Sequence, residues 1–188
     1  MHAQIINDVI AKYWVEFPTH SDKFMPAYLA NDILRFWRTL CLNYEASTSE
    51  KTLPDRAKRK VKNYKLKHSR MLTCYSALLF LLYVHAKNGT VDIPDAQTMV
   101  YLTPTERVRW VAGQLEGRNP SAGIYHLLDQ YERFLSVTHA SEENLVELFS
   151  NDDKAHELRD EQSAFGDLVY SILCTLGQGN LFYKRLVV

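Results

Sequence analysis

Residues Met71 to Ala86 form a run of sixteen without a charged side chain, directly after a stretch, Arg56 to Arg70, with eight Lys/Arg and no acid. A helix that is apolar on every side has to be buried, either in lipid or at the centre of a helical core. Cations flank inserted helices, so the membrane reading has to be weighed. A span needs about 20 residues; this run is shorter and holds Thr73, Ser76 and His85. A central buried helix, with no membrane, is the expectation.

The rest of the chain reads as helices arranged around that one. Ile5, Ile6, Val9, Ile10, Tyr13, Trp14 and Phe17 recur at helical spacing, which predicts a first helix over 2–17 ended by Pro18. Ile33, Phe36, Trp37, Leu40, Cys41 and Tyr44 give a second over 27–46, with Pro26 in its first turn and a polar linker, Ser47 to Lys51, after it. The third starts near Pro54 and runs to Lys87, where Asn88-Gly89 stops it. Residues 90–103 read as irregular, with a short extended piece around 99–102. Thr103-Pro104-Thr105-Glu106 is a capping box that opens a helix over 104–115. Asn119 can cap another over 120–137, Ser141 followed by two acids starts a short one, and the last runs over 153–176 to Gly177 and Gly179. The fold expected is all-α, a bundle of about seven helices with a long central third helix. It forms one helical domain over 1–188, with 1–89 and 103–188 as candidate sub-lobes.

Charge bounds the function only when it is mapped along the chain. Lys plus Arg equals Asp plus Glu at 22 each, so the total favours neither nucleic acid nor membrane. The acids, however, concentrate between Glu142 and Glu161, away from the basic stretch, so one block can face a polyanion or the two can pair. Cys41, Cys74 and Cys174 are dispersed in apolar stretches without metal spacing, and read as reduced, buried side chains. Charged Asp8, Lys12 and Glu16 exclude a signal peptide over 1–17, and the expected location is cytoplasmic.

Two rows of side chains stand out as binding candidates. Asn31, Arg35 and Arg38 lie at i, i+4 and i+7 on the second helix; Asn63, Lys67 and Arg70 repeat that spacing on the third, and Arg59 extends the row by a turn. Helices joined by a short linker are usually antiparallel neighbours, so the rows could line one cleft and offer guanidinium forks and amides to phosphate or carboxylate. Solvated faces or intrahelical pairs such as Asp32 with Arg35 are the competing explanation, although an exposed ion pair contributes at most about 1 kcal/mol.

The same residues carry a family resemblance. Asn31-Asp32-Ile33-Leu34-Arg35-Phe36-Trp37-Arg38-Thr39, then Asn43-Tyr44-Glu45, then Asn63-Tyr64-Lys65-Leu66-Lys67-His68-Ser69-Arg70 resembles, in order, a helical region of bacterial nucleotidyltransferase-like proteins. It covers residues 5–86; the remainder is similar only in helical character. In that family the region follows a catalytic domain with a glycine-serine loop and a pair of aspartates that hold metal ions. This sequence has no Gly-Ser dipeptide and no Asp-x-Asp, and Asp152-Asp153 read as a helix start. The resemblance therefore implies a substrate-binding or regulatory part, binding a nucleotide or phosphate-bearing substrate. It would be a truncated stand-alone copy or the companion of a separately encoded nucleotidyltransferase domain, without catalytic residues, metal or cofactor of its own.

Two further readings differ in class. The 56–70 helix could be a nucleic-acid-binding module, with RNA as partner and Tyr64 available for stacking. Arg133 and His139 match the loose arginine/histidine spacing of toxin-type helical ribonucleases, although chance supplies such a match readily and His139 also serves as a charge complement at a helix C-terminus. His20, His68, His85, His126 and His156 show no metal-binding spacing. The apolar face of the first helix could support a homodimer.

Overall fold

The computed structural model describes residues 2–46, 53–117 and 121–186, and among these the regular secondary structure is helical throughout. The elements are α1 (His2–Tyr13), α2 (Phe17–His20), α3 (Ala27–Ala46), α4 (Leu53–Lys65), a π turn (Leu66–Arg70), α5 (Met71–Asn88), α6 (Ile93–Tyr101), α7 (Pro104–Gln114), α8 (Ser121–Thr138), α9 (Glu142–Ser150) and α10 (Asp152–Gly177), followed by a 3-10 turn (Tyr183–Arg185). Because α4, the π turn and α5 form one unbroken rod, the described residues hold nine helices where the sequence predicts about seven.

The two additions have local causes. Residues 90–103, expected to be irregular, contain α6. Asp92 accepts from the Asp95 amide (2.8 Å) while the Asp95 carboxylate accepts from the Asp92 amide (3.1 Å), a capping box written with two aspartates. Thr103 and Glu106 make the expected box for α7. The first helix ends at Tyr13 rather than Phe17. Trp14 leaves the helix to bury its ring and donate its indole N–H to the Val91 carbonyl (3.0 Å), and Pro18 then sits in the first turn of α2.

Helix α5 lies at the centre, buried on nearly every side from Leu72 to Val84, with α3, α6, α7 and α10 packed around it. Partners on both halves of the chain thus share one core. Arg107 of α7 ties these layers together: its guanidinium group donates to the Met99 carbonyl (2.6 Å) and to the Thr73 carbonyl and Ser76 hydroxyl (3.4 Å each). Gly89, at φ +76°, closes α5 as expected, its N–H bonding to the His85 carbonyl. The tail folds back, with Phe182 buried, and Tyr183 lies so close to Gly177 that a Cβ there would sit 2.4 Å from its ring. Of the three thiols Cys74 is buried, whereas Cys41 and Cys174 are only partly covered.

A second, smaller core supports α4. Ala57, Val61 and Tyr64, spaced i, i+4 and i+7, pack on Leu145 and Phe149 of α9, Phe134 of α8, and Ala155 and Leu158 of α10. The capping residues Ser141 and Asn151 fix where α9 and α10 begin. The predicted linker 47–51 and the predicted cap Asn119 lie outside the described residues.

Candidate functional site

The π turn decides where the basic side chains go. Its wider i→i+5 bonding slips the residues that follow by about one position, so Lys67 and Arg70 part company with Arg59 and Asn63. Arg59 and Asn63 line a crevice of about 100 Å3 against Phe149 and Arg159. Lys67 instead lies with its Nζ 5.8 Å from the centre of the Trp37 ring, a cation–π contact between α3 and the π turn. Arg70 opens onto a different cavity.

That cavity is a groove of about 610 Å3 between the last turns of α3, the α4–π junction and α8. Lys62, Lys65 and Arg70 supply its cations; Tyr44, Tyr131 and Phe134 its aromatic surface; Asn43, Ser69 and Thr138 its neutral polar groups. No carboxylate lines it among the described residues, and none of the three cations forms an ion pair there. The spacing responsible is 62, 66, 69 and 70 along the rod, one side of which joins Leu40, Asn43 and Tyr44 of α3. Burial raises the Tyr44 hydroxyl above its ordinary pKa, while the nearby Arg59 guanidinium pulls in the opposite direction.

The row on α3 sits elsewhere. The Asn31 amide donates to the Arg185 carbonyl (3.2 Å) and so pins the tail. Arg35 pairs with Asp32 (2.7 Å), whose other oxygen accepts from the Tyr13 hydroxyl (3.0 Å). Arg35 and Arg38 are both exposed, and none of Asn31, Arg35 and Arg38 lines the groove. Of the seven predicted binding residues, the structure brings Arg70 into the groove, places Arg59 and Asn63 beside Tyr44 on the neighbouring crevice, and leaves the other four at separate positions.

Tyr64 cannot stack on a nucleic acid as the sequence suggests: it is 1% exposed, wedged among His68, Phe134 and Phe149. Tyr44 and Tyr131 are the aromatic rings the groove offers. Arg133 is held by Glu157 (3.3 Å) and Glu161 of α10. His139 is exposed just beyond α8, with its amide bonded to the Leu135 carbonyl (3.0 Å). Six helical residues turn about 600°, so a site using both would need a second element to bring them together. Among the described residues no group of three His, Cys, Asp or Glu side chains is placed to hold a metal ion, and no helix is long and apolar enough to cross a membrane.

The residues that sequence reasoning missed are Lys62, Lys65, Tyr44 and Tyr131. The first two lie inside the basic stretch, off the row whose spacing matched α3. Tyr44 stood in the apolar stripe of the second helix and in the resemblance segment but not as a binding residue, and Tyr131 carried no signal, because it meets the rod only through the packing of α8. A scan against protein-family models, a search of curated proteins and a search of solved structures find no match to this chain. The class defined by fold and site is an all-helical bundle with a cationic, aromatic-lined groove at the junction of α3, the rod and α8.

Proposed function

We propose that this chain is a non-catalytic helical domain that binds a nucleotide or similar phosphate-bearing ligand in the α3/α4/α8 groove. In keeping with the nucleotidyltransferase-like resemblance, it acts as accessory to a separately encoded catalytic chain. One observation carries the reading: three cations without carboxylate partners among the described residues share a groove of nucleotide-accommodating volume with aromatic rings. Phosphate oxygens would be met by Lys62, Lys65 and Arg70, of which Arg70 can bind bidentately. A base would lie against Tyr44 or Tyr131, and Asn43, Ser69 and Thr138 could meet its polar edge.

The test is direct titration of the purified chain with ATP and CTP. Charge-assisted hydrogen bonds contribute about 1.5–3 kcal/mol, so Lys62→Ala and Arg70→Ala should each weaken binding on the order of tenfold or more. Arg35→Ala, paired with Asp32 outside the groove, should bind like the parent. If the groove variants also bind like the parent, the reading is wrong.

Nucleic acid remains a second reading because the cations continue round α4. Arg59, Lys60 and Arg159 line the crevice that shares Tyr44 with the groove, although Lys60 also pairs with Asp152 (3.2 Å). A single-stranded oligonucleotide touching both cavities would bind with a log–log salt slope of about −0.7 per phosphate neutralised. A mononucleotide confined to the groove would show a much shallower one.

A further inference from the structure

A second cavity, of about 190 Å3, lies where the π turn meets α8 and α10, lined by His68, Gln130, Arg133, Glu161 and Ala164. His68 is 2% exposed. Its Nδ1 is 2.9 Å from the Tyr64 carbonyl; a carbonyl oxygen only accepts, so Nδ1 carries the proton. In the neutral ring Nε2 is then a bare acceptor, and no described residue bonds to it. Burial keeps the ring neutral, holding its pKa down to about 4. Phe134 and Phe165 pack on the imidazole, with centroids at 4.7 Å in both cases, so what His68 can offer the cavity is the edge of its ring.

One other wall shows the same pattern of a polar group without a partner. The Gln130 amide nitrogen donates to His126 Nε2 (3.1 Å), while its Oε1 is buried with no hydrogen bond. The Tyr64 hydroxyl, which belongs to the neighbouring crevice and not to this cavity, is also buried and unbonded. A buried polar group left unpaired costs about 1–3 kcal/mol. The Nδ1 bond to the Tyr64 carbonyl accounts for one side of the imidazole, but packing gives no reason for a bare Nε2 or an unbonded Gln130 Oε1. A π turn, a rare element that recurs at functional sites, puts His68 there.

We propose that this cavity binds a small neutral molecule through an amide edge, an N–H beside a C=O, as in a carboxamide, a ureide or a lactam-type heterocycle. The ligand N–H meets His68 Nε2, and its C=O meets a donor, the Arg133 guanidinium. The Gln130 side chain complements such an edge in either orientation of its own amide, since both partners carry donor and acceptor side by side. A charged ligand is disfavoured: Arg133 already faces Glu157 and Glu161, and the neutral His68 and aromatic walls would not repay the lost hydration. The volume equals that of about six water molecules at ~30 Å3 each, room for a single small ring. The site is independent of the groove and does not rest on the reading given to it.

The experiment titrates the purified chain with uracil and nicotinamide, alongside benzoate and benzamidine as charged rings of similar size. Binding is read from the imidazole nitrogen resonances and from the shift in Tm. The expected result is saturable binding of at least one neutral probe, centred on the His68 Nε2 signal, with the charged rings at least tenfold weaker. His68→Phe retains the stacking and should lose at least tenfold in affinity. Ala164→Leu fills the cavity, touches no polar group and should lose as much; Lys62→Ala should lose nothing. No saturable response to either neutral probe, binding that Ala164→Leu leaves unchanged, or charged rings that bind as well as neutral ones would each overturn the proposal. So would crystals soaked with both neutral probes that show only ordered water in the cavity.

Discussion

The two halves of the rod from Leu53 to Asn88 share one helical axis and little else. Helix α5 is enclosed by α3, α6, α7 and α10, and from Leu72 to Val84 only Thr73 and Tyr75 are not fully buried. Helix α4 buries one stripe, Ala57, Val61 and Tyr64, on α8, α9 and α10 and turns its cations outward. Between them lies the π turn; the buried stripe of α4 runs on through His68 to Leu72, while the directions that carry cations on α4 become core in α5. The contrast teaches that a single helix can serve as both structural centre and binding surface when its neighbours enclose one half and cover only one stripe of the other.

Several measurements would break or sharpen that contrast. The largest effect belongs to α5. Leu81→Ala, at a site with no exposure, should cost about 2–5 kcal/mol and lower the denaturant midpoint of the whole fold. A loss under 1 kcal/mol would mean α5 is not the centre of the core.

Next comes the junction. His68 titrates near 4 in the folded chain against 6.5 when unfolded, so below 6.5 the unfolded state takes up a proton that the folded state refuses. The stability contributed by neutral His68 is complete above about pH 6.5 and is lost as pH falls toward 4. The total is on the order of 3 kcal/mol. Denaturant titrations across that window should show the loss in the parent and a smaller slope in His68→Phe.

Smaller again is Val61→Ala in α4, which removes two carbons from the lesser core and should cost about 1–2 kcal/mol. Hydrogen exchange should then quicken in α4 and α9 and leave α5 protected; equal loosening of both would merge the two halves into one cooperative unit. Smallest is Tyr64→Phe. Its hydroxyl is buried without a partner among the described residues, so Tm should stay within a degree or two or rise. A marked fall would show that the hydroxyl has a partner.

The sequence was legible wherever the controlling interactions are local. The apolar run 71–86 required a buried centre, Thr103-Pro104-Thr105-Glu106 marked the start of α7, and Asn88-Gly89 marked the end of α5. Helix α6 escaped because its capping box uses Asp92 and Asp95 in place of the hydroxyl and longer carboxylate the pattern looks for, although the signal is equally local. The site was less legible. Matching rows on α3 and α4 assume an uninterrupted α-helix, and nothing in Leu66-Lys67-His68-Ser69-Arg70 announces i→i+5 bonding. Tyr64, an aromatic residue amid eight cations, looks like a stacking platform until Phe134 and Phe149 are seen to enclose it.

By itself, then, the sequence determined that this chain is helical, that 71–86 is its centre and that its cations concentrate on one element. Helix periodicity, capping and burial of apolar surface depend on residues within a few turns of one another. Only the tertiary structure decided which cations share a groove, which tyrosines face it and that His68 closes a cavity. Those outcomes depend on α8 and α10, sixty to a hundred residues away along the chain, and on a π turn that shifts every side chain after it.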